Sequence, residues 1–289
     1  MEGEWTVRRI LGWTGDYLRR GGVERASFEA EELLAHALGV ERLVLYLQPE
    51  RPLTAAERAR FRELVRQRRA GVPLQYLLSE VEFMGLPLRV DGRALIPRPE
   101  TEELVEFILR ELGPQAHVKL EILELGTGSG AIAIALAHSL SGSSITATDI
   151  SAQALELARE NAARNGVASQ ITFRESDWFA AVEGRFDLIV ANPPYVSREE
   201  AQSLPREVRE HEPRSAWDGG EEGLEAVRRI ITEAPPHLRS GGRLYLEIGA
   251  GQAARVRSLT LASGAYEGIE VFRDLNGRER FFRAVRRSR

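Results

Sequence analysis

The sequence contains no cysteine, which excludes disulfides and thiolate metal sites. Histidines number five in 289 residues. None stands in H-E-x-x-H or a similar spacing, so no metal is expected. Lys119 is the single lysine, and arginine supplies the remaining positive charge, a bias that genome composition and thermal adaptation both produce. No apolar run reaches the ~18 residues that span a bilayer. The start, Met1-Glu2-Gly3-Glu4-Trp5, is acidic and lacks the charged-then-apolar plan of a signal peptide. A soluble, cytoplasmic protein with no membrane association is therefore expected. The formal net charge is −4. That balance gives no overall basic field and weighs against a stable nucleic-acid complex.

What is present divides into a helical beginning, a short connector and an alternating remainder. Residues 1–75 read as short helices. Val7, Ile10, Leu11 and Leu18 recur at helical spacing before Gly21-Gly22. Ser27 is placed to cap a second helix that ends at Gly39. Leu43 to Leu47 form a short apolar segment. Thr54 with Glu57 fits a capping box, and the helix that follows stops at Gly71. Arg58, Arg60, Arg62, Arg66, Arg68 and Arg69 make that helix basic. It reads either as a solvated face or as a contact surface for an acidic or RNA-rich partner.

Residues 76–97 read as a β-hairpin linker, with apolar positions around turn signals at Met84-Gly85 and Asp91-Gly92. Pro97-Arg98-Pro99 leads into a helix for which Thr101 is a candidate N-cap. This stretch is either a plain helix start or a lid over a cleft.

Residues 98–289 alternate strand and helix patterns, which implies βαβ units and a mostly parallel sheet. Seven strands are expected, at 120–125, 145–148, 171–173, 186–191, 244–248, 269–272 and 280–285. Gly241-Gly242 reads as the opening of the fifth. The first strand runs into Gly126-Thr127-Gly128-Ser129-Gly130, a turn that lets a ligand approach the backbone. It is not the G-x-G-x-x-G signature, because the third glycine comes one residue early. Asp149 ends the second strand ~20 residues on, where an acid bonds a ribose hydroxyl pair. Together these point to nucleoside binding. Each alone reads as a tight turn and a helix cap. Asp177-Trp178 follows the third strand at the same edge. Asp177 is a candidate acceptor for an adenine amino group, and Trp178 a candidate wall for the base; a buried tryptophan serves equally as core.

The fourth strand, Phe186 to Ala191, ends at Asn192-Pro193-Pro194-Tyr195. Prolines stop a central strand, so the tetrapeptide sits at its carboxyl end, where open α/β sheets bind ligands. Asn192 offers a side-chain carbonyl, and Pro193 a backbone carbonyl. Two acceptors at one locus hold both hydrogens of a substrate NH2 group, and Tyr195 is placed to cover its flat face. By itself the tetrapeptide also reads as a turn.

The glycine turn, Asp149 and Asn192-Pro193-Pro194-Tyr195 together resemble a class I S-adenosylmethionine-dependent methyltransferase that acts on a planar nitrogen. The fuller set includes Ile96-Pro97-Arg98-Pro99-Glu100-Thr101-Glu102, Ser176-Asp177-Trp178, Glu210-His211-Glu212-Pro213 and Ala216-Trp217-Asp218-Gly219-Gly220. It is similar to the release-factor glutamine methyltransferase family over essentially the whole chain. That resemblance implies a Rossmann-like α/β sheet of seven strands behind a small helical bundle and a hairpin, with the methyltransferase domain over 98–289. It implies S-adenosylmethionine as cofactor and S-adenosylhomocysteine as product. Gly126, Thr127, Gly128, Ser129 and Gly130 would bind the cofactor, Asp149 its ribose, and Asp177 and Trp178 would lie by its adenine. Asn192 would link cofactor and substrate, with Pro193, Pro194 and Tyr195 holding the substrate glutamine. The implied partner is a class 1 peptide-chain release factor, met through its Gly-Gly-Gln loop, and the helical domain would help dock it to a monomeric enzyme. Ser129 stands where many relatives carry threonine or another small residue.

Two other readings share some of these residues. Adenine-N6 and guanine-N2 methyltransferases of nucleic acids share the tetrapeptide and predict a basic, base-flipping surface. A non-catalytic adapter would share the cofactor site but needs no amide-orienting pair.

Overall fold

The computed structural model describes residues 4–113 and 119–288. Met1 to Gly3, part of the N-terminal stretch considered above, lie outside the described residues. The chain forms two compact units, one built from residues up to Glu80 together with Pro205–His211, the other from Val81–Leu204 and Glu212–Arg289.

In the first unit Thr6 accepts from the Arg9 amide and starts α1 (Val7–Arg20). Helix α2 (Ala26–Leu38) begins one residue before Ser27, so Ser27 lies inside it and does not cap it. Gly39 ends α2 in the left-handed region, the expected C-terminal device. The short α3 (Arg42–Leu47) follows. The capping box at Thr54 and Glu57 forms in both directions and opens α4 (Ala55–Arg69). The short helix α5 (Leu74–Leu78) takes the first residues of the expected linker. Leu18, Leu33, Leu34, Phe61 and Val65 make the core. The arginine run of α4 divides: Arg60, Arg62, Arg66 and Arg69 are exposed, whereas Arg68 is buried and paired with Glu29.

A hairpin follows, β1 (Glu80–Phe83) and β2 (Leu86–Arg89), which belongs to the second unit from Val81 onward. Met84 and Gly85 both take positive φ, the conformation a two-residue hairpin turn requires. Asn161 holds the second strand by donating to Arg89 O and accepting from Arg89 N. Helix α6 (Pro99–Leu112) has Pro99 in its first turn and Arg98 at the N-cap position. Thr101 is therefore an interior residue, and its hydroxyl is used elsewhere.

The expected alternation then appears in order: β3 (Glu121–Leu125), α7 (Ala131–Ser139), β4 (Ser144–Asp149), α8 (Ala152–Arg164), β5 (Ile171–Glu175) and β6 (Phe186–Ala191). After β6 comes α9 (Arg206–His211), which belongs to the first unit even though the sequence pattern assigns it to the second. Glu207 of α9 pairs with Arg68 at 2.8 Å. The chain finishes with α10 (Glu225–Glu233), β7 (Leu238–Glu247), α11 (Ala253–Ser263), β8 (Tyr266–Arg273) and β9 (Glu279–Arg286).

The strand order is β5-β4-β3-β6-β7-β9-β8, and only β9 runs against its neighbours. Strand β7 starts earlier than the sequence suggests. Gly241 and Gly242 do not open it but lie within it, where the register against β6 jumps from Phe186–Leu238 to Leu188–Arg243. That is a bulge, and a side chain at Gly242 would meet Arg239 O at 2.9 Å. Alternate residues of the central strands feed two cores. Ile122, Leu188, Val190 and Tyr245 pack with α6 and α7 on one face. Leu123, Ile189, Leu244 and Leu246 pack with α10 and α11 on the other.

Candidate active site

From β3 the chain moves outward to β4 and β5, then returns to place β6 on the other side of β3. The carboxyl ends of β3 and β6 therefore diverge around a crevice, the place where doubly wound sheets bind ligands. A cavity of about 380 Å³ lies there, within the usual range for small-molecule sites. Its walls include Gly126, Thr127, Gly128, Ser129, Asp149, Asp177, Trp178, Asn192 and Pro194. Of the residues expected from sequence, Gly130, Pro193 and Tyr195 do not line it. Gly130 has a packing role instead: a Cβ there would stand 3.1 Å from that of Ala158, so glycine lets α7 and α8 approach.

Asp149 ties the second strand to the glycine turn. One carboxylate oxygen accepts from Gly128 N at 2.8 Å and the other from Ser151 N at 2.9 Å. Burial pushes its carboxyl above the ordinary range. Each oxygen keeps acceptor capacity toward the cavity. Trp178 also borders it and holds φ +52°, rare for a bulky side chain and a mark of imposed geometry. Asp177 also meets a partner that the sequence does not show. Both of its carboxylate oxygens accept from Arg229 Nη1, at 2.8 and 2.9 Å, because α10 brings that guanidinium alongside.

Glu124, a strand residue with no local mark of a site, also forms part of the wall. It is buried, and its Oε2 accepts from Thr127 Oγ1 at 2.6 Å and from Ala133 N at 3.1 Å. Burial pushes its carboxyl up to about 8. The native state thus holds a proton over an interval in which the unfolded chain has released it. The resulting stability is full below the ordinary carboxylate range and is lost as pH rises through about 8. Glutamine keeps the acceptor oxygen and removes the titration. Glu124→Gln is expected to melt with wild type near pH 5 and about 5 °C above it at pH 9. Equal melting at both values would show that the group does not titrate there.

Asn192 is fixed by a buried polar chain. Its Nδ2 donates to Thr101 Oγ1 at 3.0 Å, and Thr101 Oγ1 donates to Glu247 Oε2 at 2.7 Å. The phenol of Tyr195 donates to Glu247 Oε1 at 3.1 Å. With its nitrogen so committed, Asn192 keeps Oδ1 for the crevice. Burial and the Glu247 carboxylate push the Tyr195 phenol well above its usual range, so it stays protonated. Neither Thr101 nor Glu247 was legible as a site residue. Thr101 reads as a cap, and Glu247 reads as one more residue of β7. The available signal was an acid ending a core strand beside the one that ends at Asn192.

Two clamps hold the surroundings. Buried Glu212 accepts from Arg98 Nη2 at 2.6 Å and Ile96 N at 3.3 Å, which fixes the Ile96 to Pro99 segment as a wall of the cavity. The second clamp lies behind the tetrapeptide. Val196 N donates to Trp217 O, and Gly219 N donates to Val196 O. Gln252 Nε2 donates to Tyr195 O at 2.9 Å and Gly223 O at 3.0 Å. Among the described residues no cluster of His, Asp and Glu could hold a metal, and no helix is long and apolar enough to cross a membrane.

The sheet order, the glycine turn with its acidic partner and the crevice bounded by Asn192 define a class I S-adenosylmethionine-dependent methyltransferase. Residues 9–78 match the PrmC N-terminal domain, and residues 103–210 match the methyltransferase small domain. The chain is 44% identical to the release factor glutamine methyltransferase of Moorella thermoacetica, over 98% of this chain and 99% of that protein. It is 45% identical to that of Cereibacter sphaeroides, over 92% and 94%. The chain belongs to the release factor glutamine methyltransferase family. Among solved structures, the fold is shared with a methyltransferase from Pyrococcus furiosus, at TM-score 0.54 and 20% identity, over 71% of this chain and 91% of that one. It is also shared with the hMettl16 catalytic domain, at TM-score 0.56 and 18% identity, over 78% and 82%.

Proposed function

We propose that this protein methylates the side-chain amide nitrogen of the glutamine in the Gly-Gly-Gln loop of peptide-chain release factors, with S-adenosylmethionine as donor. The observation that carries the reading is the fixed Asn192 amide, whose nitrogen is bound to Thr101 and whose carbonyl is left for a substrate N–H. Family membership supplies the substrate class.

The cavity walls fit the cofactor. Gly126 and Gly128 leave open space where side chains would stand: a Cβ at either would meet nothing nearer than 3.8 Å. Asp149 offers acceptors for a hydroxyl pair, and Trp178 an apolar wall. When bound, S-adenosylmethionine supplies a methyl group on a sulfonium, ready for in-line displacement. The rest of the work falls to the chain. An amide nitrogen is a poor nucleophile because its lone pair is delocalised into its carbonyl. Asn192 Oδ1 and Pro193 O accept its two hydrogens, hold the NH2 plane and favour pyramidalisation as the new bond forms. Tyr195 packs beside this pair and, through Glu247, stiffens it. Positioning and preorganised dipoles carry the rate. No base is needed beforehand, since the product nitrogen sheds its proton to water. The working form in this reading is a cytoplasmic monomer without metal.

The test is purified protein with radiolabelled S-adenosylmethionine and a release factor, beside the factor with its Gly-Gly-Gln glutamine changed to alanine. DNA and RNA run in parallel. Label on the intact factor alone is expected. Label on nucleic acid would overturn the substrate while leaving the cofactor site standing.

A further inference from the structure

Resting on that reading, we infer that Glu247 is a positioning residue whose ionised carboxylate, acting through Thr101, selects which face of the Asn192 amide is presented to the substrate. The argument is proton bookkeeping along the buried chain. The Asn192 NH2 group is a donor only, so Thr101 Oγ1 must accept from it at 3.0 Å. A hydroxyl carries one proton, and that of Thr101 goes to Glu247 Oε2 at 2.7 Å. The other carboxylate oxygen receives the Tyr195 phenol proton at 3.1 Å. Glu247 thus accepts on both oxygens, which is the behaviour of the ionised form.

A proton added to Glu247 reverses the chain. If Oε2 donates to Thr101, the threonine must turn its own proton toward Asn192. Asn192 then satisfies it only by rotating its amide and offering the carbonyl to Thr101. The carbonyl leaves the crevice, and an NH2 group faces the substrate NH2, donor against donor. One protonation event therefore exchanges a productive amide for an unproductive one.

The carboxylate is enclosed on three sides. Strand β7 carries it, α6 supplies Thr101 and, nearby, Glu100, β9 supplies Arg280, and the loop after β6 supplies Tyr195. Burial and Glu100 hold the Glu247 carboxyl above the usual range, while the hydrogen bonds from Thr101 and Tyr195 and the charge of Arg280 pull it back. Arg280 also lies over the Tyr195 ring at 5.7 Å. The switch therefore falls at higher pH than an ordinary glutamate would titrate, and turnover is lost as pH falls through it.

The experiment compares wild type with Thr101→Val, Thr101→Ser and Glu247→Gln, measuring kcat on a release factor, cofactor affinity by calorimetry, and kcat against pH. Thr101→Val breaks the relay without changing volume. Its kcat should fall about 100-fold, the cost of a misdirected catalytic group, while cofactor affinity stays within about twofold. Thr101→Ser keeps the hydroxyl and should return kcat to within about threefold of wild type. Glu247→Gln should abolish the acid limb of the pH profile, whatever its rate, because it removes the titrating group. A limb due to Glu124 would survive it. The inference is overturned if valine and serine at 101 lower kcat equally, which marks a packing role, or if the acid limb is unchanged in Glu247→Gln. Should Glu247→Gln fail to fold, the valine and serine pair decides alone. A wild type that never labels the release factor overturns the functional reading itself, an outcome separate from either of these.

Discussion

Asn192→Ala is expected to lower turnover on a release factor about 1,000-fold, at the upper end of what removing one preorganised catalytic hydrogen-bonding group costs. Alanine deletes Oδ1, one of the two acceptors proposed to hold the substrate NH2 group. It also frees Thr101 Oγ1 from its only donor in the Asn192–Thr101–Glu247 chain. The fold should persist, because Asn192 lies just past the end of β6, whose core contacts come from Leu188, Ile189 and Val190. Cofactor binding should remain within a few-fold, since Asp149 and the glycine turn are untouched. The readouts are single-turnover rate and calorimetric affinity, taken side by side. Turnover like wild type would remove the acceptor model. Loss of cofactor binding together with turnover would make Asn192 a cofactor residue first.

Gly223→Ala is expected to be nearly as damaging, though Gly223 meets neither ligand. A Cβ at this position would stand 2.3 Å from Tyr195 O and 2.7 Å from Gln252 Nε2, and the backbone φ is +72°. The obstacle is backbone on one side and the hydrogen-bonded amide that secures that backbone on the other, so the tetrapeptide must move. A Cβ at Gly219 would likewise come too close, 2.8 Å from Pro194 O. A displacement near 1 Å at a reacting group costs about 100-fold in rate, and that is the loss expected in kcat, with cofactor affinity kept. Gly166→Ala supplies the control. It shares the positive φ, at +71°, but a Cβ there meets nothing within 4 Å. It should lose about 1 kcal/mol of stability from backbone strain and none of the turnover. If the two variants behave alike, backbone conformation alone explains Gly223, and the close approach behind Tyr195 is not what positions the tetrapeptide.

These two variants mark what could be read in the chain and what could not. Helices α9 and α11 were not legible, whereas the strands β3 to β9, the turn at Gly126 to Gly130, Asp149 at the end of β4 and Asn192 at the end of β6 all were. Each is local: a buried strand declares itself by its run of apolar residues, and its end by glycine, aspartate or proline. Hydrophobic periodicity and the residues that close each strand place these turns at one sheet edge.

The partners of those residues were hidden for the opposite reason. Thr101 and Glu247 lie 146 positions apart in the chain, Ile96 and Glu212 lie 116 apart, and no local pattern marks either pair. Thr101 carried a misleading local signal, since threonine near Pro99 looks like a cap. Asp177 likewise carries no local sign of Arg229, which α10 delivers to it. Sequence alone determined which strands form, where they end and that an asparagine side chain follows β6 at the carboxyl edge of the sheet. Tertiary structure decided which way that side chain turns and what holds it there, because a hydroxyl or carboxylate gains its direction only from the donor that folding brings against it.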